Sequence, residues 1–212
     1  ETGFKSSFTI NTSLYFQKSL NSTNTVIEET GDFADINGVS VPIIVRYPIN
    51  LSTNERFGFE LNLSYRKGRN WNIFTNFNLF QNKVTGTYND IVYDSKNTSW
   101  SFRLNNKLTL PGKIDWQTRM NVRGPNETAV SKSDGDFSID LAFSKELFNE
   151  MATLTLNIRD LLDQRGWRNE TFNDNFYNDF EFRWSKRSIT LNFTYRFNQK
   201  KNQNRRQQRG TY

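Results

Sequence analysis

The chain of 212 residues contains no cysteine and no histidine. Disulfides, thiolate metal sites, cysteine nucleophiles and imidazole bases are excluded together. Proline occurs four times, and the 11 glycines are scattered rather than gathered into a phosphate-binding loop. Long apolar runs are missing too. The longest aliphatic stretch is Val41-Pro42-Ile43-Ile44-Val45, against roughly 20 residues for a membrane helix. Mean hydropathy is −0.77 and only 35% of residues are hydrophobic. Aromatics are nevertheless abundant, at 15%, with 19 Phe. Disordered polar chains are poor in aromatics. The architecture must therefore use polar and aromatic surfaces side by side.

Net charge is +6, but its distribution is uneven. Residues 198–212 hold Lys200, Lys201, Arg205, Arg206 and Arg209 and no acid. That tail carries +5, which leaves the body at +1. A basic balance can point to nucleic acid. Here the body is nearly neutral and the tail offers only Tyr212 for stacking, so no nucleic-acid partner is expected. The tail lacks any apolar period and is expected to be disordered.

What the body has is alternation. Ile189, Leu191, Phe193, Tyr195 and Phe197 interleave with Ser188, Thr190, Asn192, Thr194 and Arg196. A period of two is a β-strand with one apolar and one polar face. The pattern recurs around Phe8–Gln17, Phe57–Arg66, Trp71–Leu79, Trp100–Leu110, Ile114–Arg123, Phe137–Ser144 and Ala152–Arg159. This predicts about eight up-and-down strands of nine to eleven residues. Soluble strands average about 5–6 residues, whereas a tilted strand crossing a bilayer needs about 9–11.

The connections alternate between short and long. Lys67-Gly68-Arg69-Asn70, Pro111-Gly112-Lys113 and Phe148-Asn149-Glu150 are short, while 18–56, 82–98, 124–135 and 161–185 are long. Outer-membrane barrels have short periplasmic turns and long extracellular loops. Tyr65, Trp71, Trp100, Trp116, Phe137, Tyr195 and Phe197 fall near strand ends, where aromatic girdles meet the membrane interface. The fold class expected is all-β, an antiparallel transmembrane barrel over residues 1–197, with lipid as a partner.

In such a barrel the polar face lines the lumen. The charged residues expected there are Glu60, Arg66, Arg103, Lys107, Asp115, Arg119, Arg123, Asp140, Arg159 and Arg196, seven basic against three acidic. Buried charges must be paired or hydrated. The imbalance suits a wide lumen, holding water or an acidic element, better than a packed eight-strand interior.

Two segments carry a family likeness. One is Arg46-Tyr47-Pro48-Ile49-Asn50 leading into Gly58-Phe59-Glu60. The other runs through Arg159-Asp160-Leu161-Leu162-Asp163 and Phe182-Arg183-Trp184 to a final Ile189–Phe197 strand. Together they resemble the carboxy-terminal barrel of TonB-dependent receptor-like outer-membrane proteins of the Bacteroidetes type. Asn, at 28 of 212 residues, fits that group. The resemblance implies a share in a 22-stranded barrel, energised uptake of a solute through TonB, and a surface lipoprotein as a further partner. The ending Tyr195-x-Phe197 resembles the signal read by the barrel-assembly machinery. Long loops would be extracellular and the tail periplasmic.

No other chemistry stands out. Asp134, Asp136 and Asp140, and Asp174, Asp179 and Glu181, do not match a calcium-loop spacing. No serine or lysine can find a histidine or cysteine partner, and no enzyme, cofactor or metal is expected. Asn-x-Ser/Thr triplets such as Asn192-Phe193-Thr194 lie inside strand patterns and give little support to a glycosylated domain. Among the loop aromatics, Tyr47, Tyr88, Tyr93, Trp167, Phe172, Phe176 and Tyr177 are candidates for touching a ligand. Two other readings remain open at this level: a complete eight-stranded barrel with a structural, adhesive or scaffold role, and a soluble β-sandwich binding module.

Overall fold

The computed structural model describes residues 6–128, 130–173, 176–183 and 185–197. The tail and Trp184 lie outside them. In chain order the strands are β1 (Ser6–Ile36), β2 (Val39–Lys67), β3 (Trp71–Thr85), β4 (Thr87–Tyr88), β5 (Ile91–Val92), β6 (Ser95–Leu110), β7 (Ile114–Arg123), β8 (Asn126–Glu127), β9 (Ser131–Ser133), β10 (Asp136–Leu147), β11 (Ala152–Arg159), β12 (Trp167–Asn173), β13 (Phe176–Phe182) and β14 (Ser188–Tyr195). Helices are absent among the described residues.

Eight strands form one sheet in the order β1-β2-β3-β6-β7-β10-β11-β14, each antiparallel to its neighbour in the chain's own sequence. The register keeps like faces together across the sheet. Leu61 pairs with Phe77, Phe77 with Phe102, Phe102 with Val122 and Val122 with Phe137. One residue along, Asn62 pairs with Asn76, Asn76 with Arg103, Arg103 with Asn121 and Asn121 with Ser138. A slip by one residue would exchange the two faces completely, so the alternation itself specifies the pairing.

Turn chemistry closes the hairpins. Asn37 and Gly38 both have positive φ (55° and 81°) between the paired Ile36 and Val39. This is the two-residue Asn-Gly loop that matches strand twist. Gly38 N–H also donates to Asp35 Oδ1 at 2.8 Å. Asn89 and Asp90 repeat the arrangement between β4 and β5.

A conventional core is missing. The buried hydrophobic residues among those described are Val26, Val84, Tyr93 and Ala152. On the sheet's apolar face Leu14 is 72% exposed, Leu191 65% and Phe193 58%, and among the described residues no second sheet is packed over them. In a sandwich these side chains would be interior. This face has been left for an apolar solvent.

The structure differs from the sequence expectation in the connections. Residues 18–56 are mostly strand: β1 and β2 run on past the apolar rows as one long hairpin, with irregular register between Ser19 and Thr23 and between Glu29 and Phe33. The segments 124–135 and 161–185 contribute β8, β9, β12 and β13, which join into a four-stranded sheet of their own. Main strands therefore range from 8 to 31 residues instead of nine to eleven. Beyond the apolar band both faces meet water, so nothing limits strand length there. The outer edges of β1 and β14 have no strand partner among the described residues, and the sheet is open.

Candidate functional site

The sheet curves so that its polar face is concave. Side chains from β3, β6, β7, β10, β11 and β14 line a single trough of about 640 Å³, among them Asn105, Lys107, Arg119, Asp140, Asn157 and Arg159. A second hollow of about 340 Å³ lies farther along the same strands, lined by Arg103, Arg123, Asp136 and Arg165. The remaining residues predicted for this face also lie on it. Asn62 Nδ2 and Asn76 Nδ2 donate to Glu60 Oε1 at 2.9 and 3.0 Å. Arg66 pairs in register with Asn72. Asp115 accepts a hydrogen bond from Thr109 Oγ1 at 2.7 Å and lies 3.1 Å from Lys107 Nζ. Arg196 stands apart at the short-turn end, where it donates to Glu150 O and Thr153 Oγ1.

Two large aromatics interrupt the polar face, and the structure gives each a use. Phe80 lies under the Arg56 guanidinium, 4.7 Å from ring centroid to Cζ. Phe74 lines the trough. Opposite them Tyr15 folds over Gly58 and donates to Asn78 Oδ1 at 3.0 Å. Any Cβ at Gly58 would collide with the Tyr15 ring.

The apolar face has defined upper and lower limits. Near the short turns Tyr65 and Trp71 meet edge to face at 5.3 Å, Trp116 stacks on Phe143 at 6.2 Å, and Tyr195 and Phe197 lie 4.6 Å apart. Trp71 Nε1 donates to Asn106 Oδ1 at 2.9 Å. Toward the long connections come Trp100, paired with Leu79, and Phe137, paired with Val122. Two pleat repeats beyond the Leu79–Trp100 pair, Lys18, Glu55, Lys83 and Lys96 follow each other across β1, β2, β3 and β6, and Lys18 Nζ is 2.8 Å from Glu55. Charge thus begins where the apolar rows stop. From Trp71 to Leu79 is eight steps, about 26 Å along a strand. A barrel tilt of about 40° reduces this to about 20 Å of height, near the apolar band of outer-membrane barrels.

At the long-connection end the trough meets a built mouth. The pivot is Asp160, which is 1% exposed and has positive φ (52°). Its carboxylate accepts from Gln164 N and Arg165 N at 3.2 and 2.9 Å. Its own N–H donates to Asp140 Oδ1 at 2.9 Å. Arg165 Nη2 then reaches both Asp140 oxygens at 3.2 Å. Asp163 continues the knot by accepting from Arg187 N at 2.7 Å. The Arg-Asp-Leu-Leu-Asp segment singled out in the sequence is therefore the seam between wall and connections.

Above the seam all four long connections approach one another around a cavity of about 390 Å³, lined by Thr25, Arg46, Tyr93, Ser131, Trp167 and Thr171 among others. Tyr47 Oη donates to Glu28 Oε2 at 2.5 Å and lies 3.3 Å from Tyr88 Oη, while Asn89 Nδ2 donates to Glu28 Oε1 at 2.7 Å. These contacts clasp the β1–β2 hairpin to β4–β5, and the Glu28 carboxylate raises the Tyr47 phenol above its usual range. On the outer face of β12–β13, Arg168 donates to Asp179 at 3.0 and 2.6 Å. Arg168 holds the Asp179 carboxyl below the usual carboxylate range. Of the candidate ligand aromatics, Tyr93 and Trp167 line the cavity, Tyr47 and Tyr88 are engaged in the clasp, and Tyr177 is exposed. Phe172 is half-buried, and the Phe176 side chain lies outside the described residues.

Sequence reasoning missed the long hairpin, although Asn37-Gly38 between Ile36 and Val39 was a readable signal. It also missed Arg165 as the partner of Asp140, for which no local signal exists.

A family model described as the outer membrane protein beta-barrel family matches residues 1–195. No curated protein and no solved structure gives a match.

Proposed function

Because the chain belongs to the outer membrane protein β-barrel family and so lies in the bacterial outer membrane, we propose that its sheet is a wall segment of a larger barrel. That barrel works as a TonB-dependent receptor-like transporter for uptake of a solute. The observation that carries this reading is the open, curved sheet: a lipid-suited convex side, a polar concave side and two edges, β1 and β14, that have no strand partner among the described residues. Backbone groups at an open edge cannot remain unsatisfied in hydrocarbon. Further strands completing a ring toward 22 would satisfy them. The short-turn end then faces the periplasm and the long connections face outward. Tyr195 and Phe197, adjacent at the end of β14, serve recognition by the barrel-assembly machinery. A surface lipoprotein would dock on the outward connections. Nothing in this reading calls for catalysis.

The test is retention of the detergent-solubilised, full-length protein on immobilised TonB carboxy-terminal domain, alongside a cysteine pair at Asn11 and Thr190. Retention without a β1–β14 disulfide is expected. A disulfide closing β1 on β14 would establish the small eight-stranded barrel instead, and failure to bind TonB would remove the transporter reading.

A further inference from the structure

The concave face holds more positive charge than its acids can use. Lys107 is 3.1 Å from Asp115, and Arg123 is 3.1 Å from Asp136. Asp140 is occupied by Arg165 at 3.2 Å and by the N–H of Asp160. Glu60 is engaged by two asparagine amides. The side chains of Arg66, Arg119 and Arg159 make no ion pair or hydrogen bond among the described residues.

The placement of two of these matters most. Arg119 is the register partner of Asp140 on β7. Arg159 follows Ile158, the partner of Leu141 on β11. Both flank a carboxylate that has turned to Arg165 instead, and both line the 640 Å³ trough. The trough and the neighbouring hollow together are lined by six basic side chains (Arg103, Lys107, Arg119, Arg123, Arg159 and Arg165) and two acidic ones (Asp136 and Asp140). Between the cations lie Asn72, Asn105, Asn157 and Asn192, whose amides both donate to and accept from hydroxyl groups. The volumes are those of small-molecule sites. Guanidinium groups recognise carboxylate and phosphate oxygens in a fork geometry.

We propose that the trough binds an anionic, hydroxyl-bearing solute, with Arg119 and Arg159 gripping its oxyanion and the asparagines its hydroxyls. This rests on the uptake reading and adds the charge class of the solute. A small solute suits the hollows better than an acidic polypeptide. They are two half-open recesses with separate linings, each containing asparagine amides and guanidinium groups.

Isothermal titration of the full-length protein in detergent micelles tests this with four probes: glucose 6-phosphate, glucuronate and glucose, which share one ring, and a polyglutamate peptide. The expected result is saturable binding of at least one charged sugar and none of glucose. The phosphate and carboxylate arms tell which oxyanion is taken. The double substitution Arg119→Gln with Arg159→Gln is expected to weaken binding at least ten-fold. Arg119→Lys with Arg159→Lys, which keeps the charge, should restore part of it. Heat-modifiable migration in gels confirms that each variant is folded. Three results would overturn the proposal: neither charged sugar binds, the Gln pair binds as well as the parent, or only a polyglutamate peptide binds. All three would leave TonB retention untouched, so the uptake reading stands or falls separately.

Discussion

The part of the eight-stranded sheet that carries the apolar rows and the long connections above it are built from the same residue types, yet they place them oppositely. In the large sheet Leu191, Phe193 and Leu14 stand more than half exposed, and polar groups collect on the concave side. In the connections Val26 is fully buried, Tyr93 is 5% exposed, and ion pairs such as Arg168–Asp179 face outward. One chain thus follows two burial rules. The boundary between them is the row Lys18, Glu55, Lys83 and Lys96. Below it the surrounding medium accepts hydrocarbon, so no core is needed. Above it, water drives some apolar side chains together, as at Val26 and Tyr93, while Leu20, Phe33 and Ile36 on the long hairpin stay exposed.

The sharpest way to break the contrast is to put a charge on the convex side. Leu104 lies midway along the apolar face of β6, paired with Thr75 and Met120. Leu104→Arg should cost about 2–4 kcal/mol in lipid vesicles, measured by urea unfolding. Asn105→Arg, one residue along and on the concave side, should change stability by less than about 1 kcal/mol. Equal effects would mean that the two faces see the same solvent.

At the seam, Asp160→Ala removes the acceptor for Gln164 N and Arg165 N. Buried donors left without partners cost about 1–3 kcal/mol. Hydrogen exchange should rise at 161–165 while β6 and β7 remain protected. Inside the wall, Gly58→Val would displace the Tyr15 ring and lose its bond to Asn78. A cost of about 1–3 kcal/mol is expected from overpacking, with partial recovery in Gly58→Val, Tyr15→Ala.

The smallest effect concerns acid. The Asp179 carboxyl is held below its ordinary range by Arg168. The folded hairpin therefore keeps this carboxylate ionised to lower pH than the unfolded chain does. Its contribution is complete above the unfolded value of about 3.9 and disappears as pH falls through the depressed folded one. Amide exchange in β12 and β13 should accelerate in that acid window only, with β6 and β7 unchanged. Asp179→Asn should abolish the pH response.

The wall was legible from residues alone because lipid and lumen alternate at every step of each strand. Ile189, Leu191 and Phe193 against Thr190, Asn192 and Thr194 show it most cleanly. Legibility ends with the apolar band. In Thr23-Asn24-Thr25-Val26-Ile27-Glu28-Glu29 both faces meet water or other connections, the period dissolves, and strand is indistinguishable from loop. The trough's residue set was readable from parity. Its pairing was not, because Asp140 bypasses its register neighbour for an arginine 25 positions away. Likewise the union of β9 with β12 depends on contacts between distant segments that no local pattern encodes.

The long β1–β2 hairpin has a practical consequence. Its Asn37-Gly38 tip starts 19 residues past the charged row at Lys18, roughly 60 Å of extended backbone at about 3.3 Å per residue. A short peptide tag grafted between those two residues would be carried well clear of the lipid headgroups. With the long connections facing outward as proposed, it would serve as a handle for antibodies on intact cells without touching a single position of the wall.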